Sequence, residues 1–251
     1  MVERRRQFSL QLQGWRFAPR LLPSLAVALL LPLLLGLGFW QLDRAAFKRA
    51  LLDSYAARGA DRPVNSLPPA LDPELWRFRR VALDGRFDDA HPLLLDNRTH
   101  RGLAGYHLLT PLRLDDGRGV LVNRGWAPRG RTRDDLPAVV HRAGRVTVAG
   151  QLDTPPASGL SVGPDGPEAS GWPRVVQRLE LDALARELGY PLLPLLLLEG
   201  ADGEAELVRE WHPVVMGPAR HTGYAVQWFA LALALLVIYV VVNTRRVQGD
   251  E

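Results

Sequence analysis

A stripe of polar, aromatic and small side chains in the second long apolar segment has the residue types and spacing that could do chemistry. Its members recur at spacings of three and four, with Tyr224 and Ala225 adjacent: His221, Tyr224, Ala225, Trp228, Ala232, Leu235 and Tyr239. On an α-helix this spacing places all seven on one face. A neutral imidazole is a good iron ligand, and small residues leave room for a flat partner. The stripe could therefore hold a porphyrin, with His221 as axial ligand and Tyr224 or Trp228 against the ring.

The same stripe has a second interpretation that needs no cofactor. Trp and Tyr are enriched at membrane–water interfaces, and small residues let two helices pack closely. The stripe would then be an aromatic belt with a polar cap, packed against the first apolar segment. The residue types alone favour this second interpretation over the porphyrin site.

Other metal chemistry finds little support in the composition. The chain has no Cys, and its Met residues are Met1 and Met216. Soft metals such as Cu(I) need thiolate or thioether ligands, so the composition argues against a copper chaperone. The histidines between residues 91 and 141 lie on separate segments without metal-ligand spacing.

One catalytic pattern is present, in residues 159–163, which match the G-x-S-x-G of serine hydrolases. That motif works only on a tight strand-to-helix turn. Four prolines surround it here, and no helix is predicted after it. A hydrolase is therefore the least favoured of the functions considered.

Two long uncharged runs must position the stripe. Residues 21–42 contain no charged side chain, and residues 221–243 contain none when His is counted as neutral. A helix rises about 1.5 Å per residue, so roughly 20 residues cross a bilayer core about 30 Å thick. The sequence predicts transmembrane helices at 21–42 and 221–243. The first run ends in bulky Phe39-Trp40, unlike the small-residue cleavage site of a signal peptide.

The distribution of charge predicts the orientation. Residues 1–20 hold five Arg and one Glu, and Arg245 and Arg246 follow the second run. Residues 43–220 hold 24 Lys and Arg and 24 Asp and Glu. By the positive-inside rule, the tails 1–20 and 244–251 are predicted to be cytoplasmic and residues 43–220 extracytoplasmic. The basic pI then reflects the tails and argues against a nucleic-acid partner.

The middle of the chain reads as one β-rich domain. Two apolar runs, 106–114 and 120–126, flank a loop containing Gly117 and predict a β-hairpin. Residues 181–188 repeat apolar side chains at helical spacing, and Gly189 follows. The predicted fold class is membrane α+β: two transmembrane helices flank one mostly antiparallel β extracytoplasmic domain with one or two helices.

Four motifs in order resemble the surfeit-locus (Shy-type) family of cytochrome c oxidase assembly factors. The first spans Gly38 to Arg44, with Lys48 one turn on. The second and third lie in the middle domain, at 97–112 and 120–128, and the fourth is His221 to Phe229. Each motif alone is a weak match, whereas four in order cover the whole architecture. Residues 130–210 carry no motif that matches the family.

The resemblance implies assembly of a haem-copper oxidase rather than catalysis. It implies that His221 is the axial ligand of a transiently bound haem a, and it makes the porphyrin interpretation of the stripe the favoured one. Six residues are then expected to form the haem site: His221, Tyr224, Gln227, Trp228, Trp40 and Gln41. Arg44 or Arg220 could pair with the haem propionates.

The implied partners are oxidase subunit I, which receives the haem, possibly a haem a synthase, and the lipid bilayer. The absence of a mitochondrial targeting extension favours a bacterial member in the inner membrane, with its main domain in the periplasm. The alternative is a cofactor-free chaperone or scaffold that holds subunit I during assembly. A Soret band in the purified protein would distinguish the two functions.

Overall fold

The computed structural model describes residues 10–12, 15–132, 135–156, 171–203, 206–211, 213 and 216–246. These residues divide into two compact units, one within Met1–Asp53 and Val214–Glu251 and the other within Ser54–Pro213. The G-x-S-x-G pattern at 159–163 lies outside the described residues.

Four helices and ten strands follow one another along the described chain. The elements up to residue 128 are β1 (Leu10–Leu12), β2 (Trp15–Phe17), α1 (Leu21–Ala60), α2 (Pro73–Trp76), β3 (Arg80–Phe87), β4 (Leu93–His100), β5 (Leu103–Leu114) and β6 (Gly119–Pro128). After them come β7 (Arg145–Asp153), β8 (Arg174–Val176), α3 (Leu181–Leu188), β9 (Leu192–Glu199), α4 (Pro218–Asn243) and β10 (Thr244–Arg246).

Helices α1 and α4 are long and apolar enough to cross a membrane. Only 6% and 11% of their most apolar stretches are buried within the protein, whereas the core helix of a soluble domain would be mostly buried. They flank a β-rich domain, which confirms the predicted membrane α+β fold. Helix α1 continues past the predicted end at Leu42 to Ala60, since residues 43–60 are rich in Ala, Leu and Arg, which favour helix.

A small antiparallel sheet joins the described parts of the two tails. Strand β2 lies between β1 and β10, with Arg16 opposite Arg245. Asn243, at the end of α4, supports this junction because its side-chain Oδ1 accepts the Arg20 backbone N–H at 2.8 Å. The two tails are therefore joined by backbone pairing as well as by the helices.

The β domain is built on a closed circuit of five strands. The order β3-β7-β9-β6-β5 returns to β3 through pairing of Gly85–Phe87 with Leu112–Leu114, while β4 and β8 extend the sheet from the other part of β5. All pairs are antiparallel except β6 with β9 and β4 with β8. The prediction of a mostly antiparallel domain is therefore confirmed.

The predicted hairpin is present. Thr110 pairs with Val122 and Leu112 with Val120, and Gly117 in the loop adopts φ 87°, which favours glycine. Strand β3 continues without interruption through Asp84 and Gly85. Gly85 allows a close approach of the neighbouring strand, since a Cβ there would lie 2.5 Å from the Arg113 carbonyl oxygen.

Apolar side chains fill the circuit and pack α3 against it. The largest cluster contains members of β3, β5, β6, β7 and β9: Val81, Leu83, Phe87, Leu112, Val120, Val122, Val148, Leu152, Leu193, Leu195 and Leu197. The predicted helix at 181–188 packs through Leu184 on a second cluster with Leu93, Leu109 and Leu196. This core holds β4, β5 and β6 in fixed register, and these strands carry the second and third motifs.

Candidate functional site

The His221 imidazole is held by Gln41, across the α1–α4 helix pair. Nδ1 of His221 lies 2.8 Å from Oε1 of Gln41. An amide oxygen only accepts hydrogen bonds, so Nδ1 donates and carries the ring proton. In the neutral form of the ring, Nε2 then keeps its lone pair for a further partner. A metal-binding histidine has this arrangement, since its second nitrogen usually donates to an oxygen that fixes the ring.

Small residues bring the two helices close enough for that bond. Ala225 and Ala232 on α4 are 0% and 3% exposed. On α1, a Cβ at Gly38 would lie 2.5 Å from the ring of Phe229, so only glycine fits that position. The Phe229 ring also meets Phe39 edge-on, with centroids 5.3 Å apart. The alanines of the predicted stripe therefore face α1, as the cofactor-free interpretation expects.

A separate polar contact ties the helices at their opposite ends. The hydroxyls of Ser24 and Tyr239 lie 2.8 Å apart, and Asn243 donates from Nδ2 to the Tyr239 carbonyl oxygen at 2.8 Å. Tyr239 is 18 positions from His221, or about 27 Å along the helix. The stripe thus ends in two distinct polar contacts, and only the one at His221 offers a strong iron ligand.

The six predicted site residues are not all brought together. Gln227 is exposed and lies two positions from buried Ala225, which turns it about 200° to the opposite face of α4. Trp40, 49% exposed, stands in the same relation to buried Gly38 on α1. Tyr224, 39% exposed, and half-buried Trp228 lie at the edge of the helix contact. The geometry therefore supports His221 with Gln41, and leaves Tyr224 and Trp228 available beside them.

Cationic side chains lie near the same end of the helix pair. Arg44 stacks over Trp40, with its guanidinium carbon 5.8 Å from the ring centroid, and Arg220 is exposed. Arg49 donates to the hydroxyl of Thr222 at 3.2 Å, next to His221. Sequence reasoning missed Arg49. Its signal was its position eight residues after Gln41, because residues i and i+8 belong to one broad face of a helix.

The other motif residues converge within the β domain. The second motif lies on β4 and β5 and the third on β6, and these three strands are adjacent. His107 pairs with Trp126 across β5 and β6, and its Nδ1 lies 2.9 Å from Nδ2 of Asn123. Burial, and next the nearby Arg98 cation, lower the pKa of His107 to about 4. No group of three or more potential metal ligands occurs in the described parts of the chain.

The sequence model of the SURF1 family matches residues 28–233. The chain belongs to the SURF1 family. The match begins within α1 and ends within α4. It therefore includes the His221–Gln41 contact and the β-domain motifs, and the family membership that the four motifs predicted is confirmed.

Relatives of this SURF1-family chain occur in eukaryotes and bacteria. A SURF1-like protein of Dictyostelium discoideum is 36% identical over 101 residues, 37% of this chain and 37% of that protein. The cytochrome oxidase assembly protein SHY1 of Saccharomyces cerevisiae is 31% identical over 109 residues, 42% of this chain and 28% of SHY1. A SURF1-like protein of Rickettsia felis is 26% identical over 230 residues, 87% of this chain and 95% of that protein. The matched region thus spans about a third of the first two relatives and nearly all of the bacterial one.

Proposed function

We propose that the chain is a cytochrome oxidase assembly factor that binds haem a through His221 and assists its insertion into subunit I. Its relative SHY1 is a cytochrome oxidase assembly protein. The observation that carries the haem step is the 2.8 Å contact between His221 and Gln41. It orients the imidazole through Nδ1, so that Nε2 of the neutral ring could coordinate iron.

The residues beside His221 suit a porphyrin in type, and each has a distinct role in the proposal. Gln41 fixes the imidazole through Nδ1. Tyr224 and Trp228 offer aromatic surface at the edge of the helix contact, where a flat ring could lie without separating the helices. Arg44 or Arg220 supplies positive charge for the propionates, since guanidinium groups bind carboxylates well. Gln227 and Trp40 face away and are given no role.

The proposed setting is the inner membrane of a bacterial cell. Basic residues in both tails favour a cytoplasmic location for both termini and a periplasmic location for residues 43–220. Subunit I, and possibly a haem a synthase, would be met there. Reporter fusions test the orientation. A phosphatase fused at residue 250 should be inactive and one near residue 130 active, and the reverse result would contradict the topology.

An absorption spectrum tests the haem step directly. The full chain is expressed in cells that make haem a and purified in mild detergent. We expect a Soret band, with extracted pigment identified as haem a. Copurification of subunit I without any haem band in the parent protein would contradict haem binding and leave the assembly role standing.

One observation favours the second candidate, a cofactor-free holder of subunit I. Ala225 and Ala232 are buried against α1, so the centre of the stripe already has a partner. A haem could then bind only at the edge that Tyr224 and Trp228 line. If Tyr224→Ala and Trp228→Ala leave oxidase assembly unchanged and the parent carries no haem, the holder becomes the better function.

A further inference from the structure

Arg98 is a half-buried arginine whose guanidinium meets no counter-charge among the residues that the structure describes. Its Nε is buried and has no hydrogen bond, and no ion pair or side-chain hydrogen bond links the guanidinium to the residues that the structure describes. Burial lowers the pKa of this group. Removing a cation from water is costly unless an anion or several acceptors replace the water. The position therefore suits an anionic ligand.

A β-bulge in β4 sets the direction of the Arg98 side chain. The register between β4 and β5 shifts between Leu95 and Arg98, and Asn97 within the bulge has φ 58°. Bulges commonly redirect a side chain in this way. The Trp126 indole N–H donates to the Arg98 carbonyl oxygen at 3.0 Å and fixes its backbone. Opposite Arg98 stands Gly105, two positions from His107 on the same face of β5.

His107 supplies a second hydrogen-bond donor without an acceptor. Asn123 accepts the Gly125 backbone N–H with Oδ1 at 3.3 Å, which leaves its amide nitrogen to donate to Nδ1 of His107 at 2.9 Å. The proton of the neutral imidazole must then be on Nε2. Within the described residues, Nε2–H has no acceptor. The Trp211 ring meets the imidazole edge-on, with centroids 5.7 Å apart.

We propose that Arg98 and His107 form a carboxylate-binding site on the β domain. One guanidinium cation and one neutral N–H match a single negative charge, whereas a phosphate dianion would leave one charge uncompensated. The carboxylate belongs either to a small molecule or to the terminus of a partner polypeptide. The site is independent of haem binding at His221.

An acidic side chain that precedes Trp211 is already engaged. Glu210 pairs with Arg101 at 2.8 Å and lies 3.9 Å from Nδ1 of His100. It precedes Trp211, which contacts His107, but it makes no contact with Arg98. Glu210 therefore does not neutralise Arg98, and the proposed ligand would supply that negative charge.

Histidine NMR of the full chain in detergent tests the site. The six histidines are labelled at Cε1, and the His107 signal is identified by its loss in His107→Gln. Acetate is titrated against chloride at constant ionic strength. One charge-assisted contact corresponds to a dissociation constant on the order of 10–100 mM. We expect a saturable shift of His107 alone, together with a higher His107 pKa, because a carboxylate favours the imidazolium form.

Variants and other anions decide the assignment. Arg98→Gln should abolish the saturable shift, and its other five histidine signals report that the chain is folded. Arg86→Gln, at an exposed arginine of β3, should behave like the parent. A shift that persists in Arg98→Gln, no shift in the parent, or tighter binding of inorganic phosphate than acetate would each overturn the proposal. N-acetylglycine binding at least tenfold tighter than acetate would identify a chain terminus as the ligand, and equal affinity a small carboxylate.

Discussion

Two histidines in this chain are each held by a side-chain amide, but the two amides present opposite atoms. In the helix pair, the carbonyl oxygen of Gln41 accepts from Nδ1 of His221. In the β domain, the amide nitrogen of Asn123 donates to Nδ1 of His107. His221 therefore keeps a lone pair on Nε2, whereas His107 keeps a proton there. The lone pair suits the iron of the proposed function, and the proton suits the anion proposed for the β domain.

The surroundings of the two rings agree with this difference. His107 lies beside the Arg98 cation and within the family motifs of β4, β5 and β6, and its pKa of about 4 keeps it neutral at physiological pH. His221 lies near the end of an apolar helix, where Tyr224 and Trp228 offer aromatic surface. The orientation of a neighbouring amide thus selects which chemistry an imidazole can perform. The four predictions below test this comparison, beginning with the largest effect.

The largest effect is expected at His221. In His221→Ala, the proposed coordinate bond is lost while the apolar area that drives membrane insertion remains. We expect copurified haem a to fall to the background level, with normal protein in the membrane and reduced oxidase activity. The matched variant is Tyr239→Phe, on the same stripe about 27 Å away, which should keep its haem. Equal haem in His221→Ala and the parent would show that the ligand is a different group.

The acid stability of the β domain tests whether His107 is neutral in the folded protein. Its pKa is about 4 in the folded protein and 6.5 when unfolded, so between these values the unfolded chain binds more protons. Stability is therefore complete above pH 6.5 and falls as the pH is lowered toward 4. The loss amounts to about 3 kcal/mol. Denaturant unfolding in detergent at several pH values measures it.

The control for that measurement is a second histidine of the same domain. His107→Gln should remove most of the slope between pH 6.5 and 4, and His141→Gln, at an exposed position, should keep it. If both variants show the slope of the parent, protonation of His107 does not control acid unfolding, and the assignment of its buried neutral form is wrong.

The features of the fold that the sequence predicted correctly are those set by local pattern. Uncharged runs of about 20 residues predicted α1 and α4, since length and polarity alone determine whether a helix suits a bilayer. Gly117 between two apolar runs predicted the hairpin, because a turn with positive φ favours glycine. Leu181, Leu184 and Leu188 predicted α3 through their spacing. Each signal lies within a short stretch of chain.

The features that the sequence did not predict depend on distant residues. Closure of the five-stranded circuit requires β3 to pair with β5 and β9 to run parallel to β6, and neither pairing leaves a local pattern. The bulge that redirects Arg98 was likewise missed. At the helix pair, Gln227 and Gln41 were equivalent candidates in the sequence. Only the buried positions of Ala225 and Gly38 show which face of each helix contacts the other.

The close approach of the helices at Gly38 should affect the amount of bound haem nearly as much as the His221 imidazole does. Gly38→Leu would place side-chain atoms where the Phe229 ring lies and push the helices apart. Such overpacking costs about 1–3 kcal/mol and would also lengthen the His221–Gln41 contact. We expect a lower thermal midpoint in detergent and less bound haem. Gly36→Leu is the matched control, because a Cβ at Gly36 meets nothing within 4 Å, and its midpoint should equal that of the parent.

The smallest effect is expected at Gln41, which positions His221 without touching the ligand. Gln41→Leu removes the acceptor for Nδ1–H, and loss of such a partner typically weakens metal binding by about 10–100-fold. Gln41→Glu keeps an acceptor and should restore affinity. Its negative charge also raises the basicity of the imidazole, so the reduction potential of bound haem should fall, which a purely structural role would not produce.

The matched control is Gln227→Leu, at a residue that the sequence predicted to be in the haem site and that the structure leaves outside it. It should change neither quantity, because Gln227 is on the opposite face of α4. If Gln227→Leu weakens haem binding while Gln41→Leu does not, the pocket lies on that other face, and the orientation of His221 by Gln41 is incidental.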